Sequence, residues 1–334
     1  MAEDDKPPLA LVQFKDVLGL SAPATRLADA IARGIGEWFY PLTKARRTSA
    51  DVNALKQWSK ALKSTGLSFQ SADLSLENRA VIRLTAQVQR QQRNREAVAV
   101  QAIEEFKTIQ PDTHTEAAPP IDLSWIDRLW CHAENASDAD FQSLWGRVLA
   151  RQASGSARYS ARCLDTLGAL SRDEAKLLER LATVALRTDL GDQGSEVCIV
   201  FGARNYIEPG EAVSTLRDEN LKVAAAVGNV HPEILGPIGI MIETGWAHDL
   251  VGIVHNNAVR LRIGGAAYRI KGYPSPLPEH RGVPFADGVK IGGGYQFSPV
   301  GAEIVSLIQT APDDAFVRAF GGALAVQGLQ LEKQ

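Results

Sequence analysis

At 334 residues, with 45% hydrophobic and 22% charged residues, the chain is long for a single core, and two or three domains are expected. Its net charge of -3 excludes a molecule that holds nucleic acid by bulk charge, so any such contact must come from a local basic patch.

Residues 1–20 read as a flexible leader, with Pro7-Pro8 closing a polar start. The leader is acidic before it is apolar, the reverse of a secretory signal. No stretch approaches the roughly 20 apolar residues that span a bilayer. These features point to a cytoplasmic protein, peripheral on a membrane at most. Ser21 is placed to cap a helix, and Pro23 suits its first turn, where a missing N–H is harmless. Leu27, Ile31, Ile35, Trp38, Phe39 and Leu42 recur at steps of three and four, giving one apolar face, until Pro41 ends or kinks the helix. Residues 50–64 read as a second helix. A long third begins at Ser75 without Gly or Pro, and its polar middle, Arg83 to Arg95, faces solvent or packs through long side chains. The helical region spans 21–110, and the Pro-, Thr- and Ala-rich stretch 111–120 reads as a linker.

A middle helical domain is expected over 121–190. Ile126, Leu129 and Trp130 mark its first helix. Ser137 and Asp138 cap the next, whose apolar face is Phe141, Leu144, Trp145, Val148 and Leu149. Ser171 and Glu174 form a capping box that starts a helix running through LLERLATVAL. The remainder, 191–334, is mixed. EVCIVF, VGIVHN, AVRLRIG, AAYRIKGY and VKIGGGYQFS read as strands, PVGAEIVSLIQT as a helix, and DDAFVRAFGGALAVQGLQL as a helix followed by a strand. The fold class is therefore mainly α with a smaller α+β part. Helix, helix, hairpin and helix in that order suggest a winged-helix-like unit, with an extended wing between Gly252 and Ser298.

Five segments carry a family resemblance: GLSAPATRLADAIARGIG, QRQQRNREAVAVQA, WIDRLWCHAENASDADFQSLWGRVLARQ, YSARCLDTLGALSRDEAKLLERL and FSPVGAEIVSLI. Together they resemble a family of bacterial domains of unknown function associated with phage-defence genes. They are also loosely similar to abortive-infection proteins of the Abi-alpha type. The resemblance implies a helical scaffold and a defence context. It carries over no catalytic residue, because its motifs are caps and helix-packing positions.

Reactive constellations are sparse. The chain has neither a phosphate-binding glycine loop of the Walker type nor a GxSxG elbow. Gly292-Gly293-Gly294 fits a bulge or bend in a hairpin. Cys131, Cys163 and Cys198 are far apart and odd in number, with no CxxC pair, and read as free thiols. Cys131 beside His132 points elsewhere on a helix. His231, His248, His255 and Asp249 show no metal-ligand spacing. No cofactor or metal is expected.

Two charged surfaces stand out. Arg26, Arg33, Trp38, Phe39, Lys44, Arg46 and Arg47 combine aromatic anchors, an apolar stripe and basic neighbours, a mixture suited to a membrane surface or a partner protein. Arg260, Arg262, Arg269 and Lys271 lie in the expected wing and suit phosphate contact. The expected function is a non-enzymatic anti-phage sensor or adaptor, partnered by a second defence protein or a phage component, or by another copy of itself. The alternatives are a DNA-binding winged-helix regulator and an enzyme of unrecognised site.

Overall fold

A computed structural model describes residues 21–36, 76–109, 120–190, 195–203, 211–228, 232–242, 248–273, 288–308 and 310–334. The protein is α+β and divides into two compact units, Met1–Tyr159 and Ser160–Gln334.

The first unit is helical: α1 (Ala22–Ile35), α2 (Leu76–Thr108), α3 (Leu123–Ala133) and α4 (Ala139–Ser154). Ser21 caps α1 by accepting from the Ala24 amide, with proline in the first turn, as its sequence dictates. Leu27 and Ile31 are fully buried, so the apolar stripe of α1 is core. The Trp130 indole donates to the Ala30 carbonyl at 2.9 Å, and its ring lies so close to Gly34 that a Cβ there would fall 1.9 Å from it. The C-terminal half of α2 buries Val98, Ala102 and Ile103, and its most extensive contact is with α4. Leu84 and Val88, in its other half, are exposed. The stretch 111–120, expected as a linker between domains, lies outside the described residues apart from Pro120. The helices on its two sides share one core, and the division between units falls after Tyr159 instead.

The second unit contains α5 (Ala161–Ala169), α6 (Arg172–Ala182), β1 (Ala185–Asp189), β2 (Ser195–Ala203), α7 (Glu211–Val227), the one-turn α8 (Pro232–Leu235), β3 (His248–His255), β4 (Ala258–Ile263), β5 (Ala266–Lys271), β6 (Gly288–Gln296), α9 (Pro299–Leu307), α10 (Asp314–Ala325) and β7 (Gln330–Lys333). The Ser171–Glu174 capping box forms as expected. The helix it starts does not run through Leu186. It ends at Ala182, and Ala185–Asp189 is a strand, because Leu186 to Asp189 find antiparallel partners on β2 and on β4. Tertiary pairing overrides a helical spacing here.

All strand pairings are antiparallel, and five of them close on themselves: β1 with β2, β2 with β6, β6 with β3, β3 with β4, and β4 back to β1. The turn Asn256-Asn257, both residues at positive φ, starts β4 beside β3. After Val259 that edge of β4 passes from β3 to β1. The other edge carries β5, which carries β7. The expected two-stranded wing is therefore not free-standing: β4 is paired on both edges and built into the ring. Closure removes sheet edges that would otherwise invite aggregation. The glycine run in β6 permits it, since a Cβ on Gly294 would lie 1.7 Å from the Ile199 carbonyl oxygen. Phe316 and Phe320 of α10 are fully buried, and α10 contacts α7, β2 and β7.

Candidate functional site

Strand alternation and register define one outer face on β1, β4, β5 and β7. On β4, Val259, Leu261 and Ile263 are buried, which turns Arg260 and Arg262 outward, and both are exposed. Arg262 stands directly opposite Arg187 of β1. Arg260 stands directly opposite Arg269 of β5, and Lys271 follows two residues along. Five cations thus share one face with two acids, Asp189 and Glu332. Like charges placed directly opposite across a ladder are destabilising, and here the arrangement occurs twice.

The partners of these cations are unequal. Glu332 of β7 sits opposite Arg269, 2.6 Å from the Lys271 ammonium and 3.4 Å from the Arg269 guanidinium. Lys271 first, and Arg269 after it, hold the Glu332 carboxyl below the usual carboxylate range. Arg187 donates to the Ser195 hydroxyl at 3.0 and 3.2 Å, and Arg262 to the Gly265 carbonyl at 2.9 Å, both neutral acceptors. Among the described residues, Arg187, Arg260 and Arg262 make no ion pair. The outward positions hold no aromatic side chain, and Tyr268 is turned inward and buried. What this face can do chemically is accept an anion with several oxygens, because guanidinium groups pair in forked geometry with phosphate or carboxylate.

The four residues expected in the wing, Arg260, Arg262, Arg269 and Lys271, are therefore brought together. Arg187 and Glu332 join them unforeseen. Arg187 stands just past the stretch expected as a helix, within the expected helical domain, although the alternation Leu186-Arg187-Thr188-Asp189 holds a strand signal.

The other charged surface is arranged differently. Arg26 donates to the Ala153 carbonyl at 2.9 Å, and Arg33 clamps Asp127 with two bonds, the Nη2 contact at 2.6 Å. Both arginines, expected to touch a membrane or a partner, are engaged within the helical unit, and the apolar stripe between them is buried. Trp38, Phe39, Lys44, Arg46 and Arg47 lie outside the described residues. The polar middle of α2 packs inward at its far end. Gln92 donates to the Ile35 carbonyl, Asn94 to the Glu134 carbonyl, and Arg95 to the Gly34 carbonyl and the Glu134 carboxylate. These side chains satisfy carbonyls at the last turns of α1 and α3, where helix ends leave acceptors open. The Glu303 carboxylate of FSPVGAEIVSLI likewise caps α5, accepting from the Ser160 amide at 2.7 Å and its hydroxyl at 3.0 Å.

Cys163 and Cys198 are buried, and burial pushes both thiols far up. Cys131 is exposed, and the His132 ring stacks on Trp145 at 5.4 Å. Among the described residues no group of three His, Cys, Asp or Glu side chains could hold a metal ion. His231 is outside them. No described helix is long and apolar enough to cross a membrane.

Fold and face together define an α+β protein whose ring-closed antiparallel sheet presents a cationic outer surface. Residues 78–271 match the family model described as a protein of unknown function, DUF2806, and the chain belongs to that family. The match includes Arg187 and all four cations of β4 and β5. No curated protein and no solved structure matches the chain.

Proposed function

We propose that the protein acts by binding, and that its ligand is a phosphate-bearing polyanion held on the outer face of β1, β4 and β5. One observation carries this reading: Arg187 opposes Arg262, and Arg260 opposes Arg269, in the same sheet. Folding gains nothing from such pairs, because like charges set directly opposite across a ladder are destabilising in the absence of a ligand. A bound anion reverses the sign, because it lies against several guanidinium groups at once. In this reading the chain is a sensor or adaptor, in keeping with the defence context that the resemblance implies, and any effector step belongs to a partner.

Retention on immobilised heparin, a generic polyanion, tests the reading. The wild-type protein elutes at higher salt than the Arg260→Ala, Arg262→Ala double variant, while the variant melts at the same temperature or slightly higher. Equal elution of two folded proteins removes the proposal.

A further inference from the structure

Resting on that reading, we infer that the polyanion is a nucleic-acid duplex, gripped by the phosphates of its backbone without regard to sequence. The argument starts from what surrounds the cations. Outward positions on the four strands are Arg187 and Asp189 on β1, Ala258, Arg260 and Arg262 on β4, Ala267, Arg269 and Lys271 on β5, and Gln330 and Glu332 on β7. None is aromatic. Proteins that hold unpaired bases stack them on aromatic rings, at about 1–3 kcal/mol per base, and the described positions of this face offer no such platform. None is a large apolar residue either. Among the described residues, the exposed large hydrophobic side chains, Leu84, Val88, Leu123, Leu221 and Ile234, lie on helices or helix ends. A lipid surface is engaged through apolar and aromatic anchors beside the charge, and the described outward positions of these strands supply none.

Size and residue choice agree. Three adjacent strands about 4.8 Å apart, with outward positions about 6.6 Å apart along each, make a cationic patch of about 10 by 13 Å. A duplex carries one negative charge per about 1.7 Å of axis, so a patch of that size meets several phosphates of a single groove wall. Four of the five cations here are arginine. Arginine forms paired bonds to phosphate oxygens, whereas lysine acts as a point charge. The cations sit on strands paired along both edges, so no helix or loose ribbon of this face can enter a groove to read base edges.

Fluorescence anisotropy with short labelled DNA duplexes of two unrelated sequences, and with the matching single strand, provides the test. A flotation arm uses vesicles of mixed phosphatidylserine and phosphatidylcholine. Both duplexes should bind within about threefold of each other, and more tightly than the single strand. With about four phosphates engaged, the logarithm of the binding constant should fall with the logarithm of salt at a slope near −3.6, and Arg260→Ala with Arg262→Ala should reduce that slope by about 1.8. The duplex inference is overturned if the single strand binds as tightly, if vesicles bind and duplex does not, or if duplex fails to bind at low salt. In each of those cases, heparin retention that still depends on Arg260 and Arg262 leaves the phosphate-face reading standing. Loss of that dependence removes both.

Discussion

In the helical unit, Arg26, Arg33, Arg95 and Arg151 reach carbonyls and carboxylates of their own chain; across the sheet, Arg187 stands against Arg262 and Arg260 against Arg269. Arg26 ends on the Ala153 carbonyl, Arg95 on the Gly34 carbonyl and Glu134, and Arg151 within 3.3 Å of Glu105. Each closes a helix end or bridges two helices, and each is a structural cation. Among the described residues of the sheet, Arg187 and Arg262 bond only to neutral groups, and Arg260 makes no bond. The difference teaches that a basic cluster in a sequence is not yet a surface. What distinguishes the four helical-unit arginines from Arg187, Arg260 and Arg262 is that their charges are answered from within, as Glu332 answers Lys271 and Arg269.

That contrast can be broken by three substitutions. Arg95→Ala has the largest expected effect. It strips donors from the Gly34 carbonyl and the partly buried Glu134 carboxylate, and chemical denaturation should show a loss of about 2 kcal/mol. A loss below about 0.5 kcal/mol would mean that the helical-unit arginines are as dispensable as those of the sheet. Glu332→Gln comes next. It frees Lys271 and Arg269 from their shared acid, so heparin elution should move to higher salt with little change in melting temperature. Elution at lower salt would show that Glu332 positions those cations for the ligand rather than occupying them. Arg260→Ala alone has the smallest effect on folding. Stability should stay within about 0.5 kcal/mol of wild type or rise slightly, since one like-charge pair disappears, and any gain should shrink in high salt. A clear destabilisation would show that Arg260 is a structural residue and would place the sheet with the helical unit.

Much of the local structure was legible in the sequence. Ser21 and Pro23 mark the start of α1, Ser171 with Glu174 marks α6, and the alternating runs through Val251, Arg260, Tyr268 and Ile291 mark strands that form. The four wing cations were legible as a group because they alternate with apolar residues. Three features were not. The strand Ala185–Asp189 hides behind a helical spacing, and α7 went unread in a stretch of mixed polarity. The stripe on α1 looks the same whether it faces lipid or Trp130, because amphipathicity reports that a face is covered and not by what.

The sequence by itself determined the caps, the turns and the alternation of the strands, since those depend on hydrogen bonds and side-chain directions within a few residues. Only the tertiary structure decided that β1 and β3 share an edge of β4, and so that Arg187 stands across from Arg262. Register between distant strands is set by how whole faces pack and where a ring closes, and no local pattern holds that information.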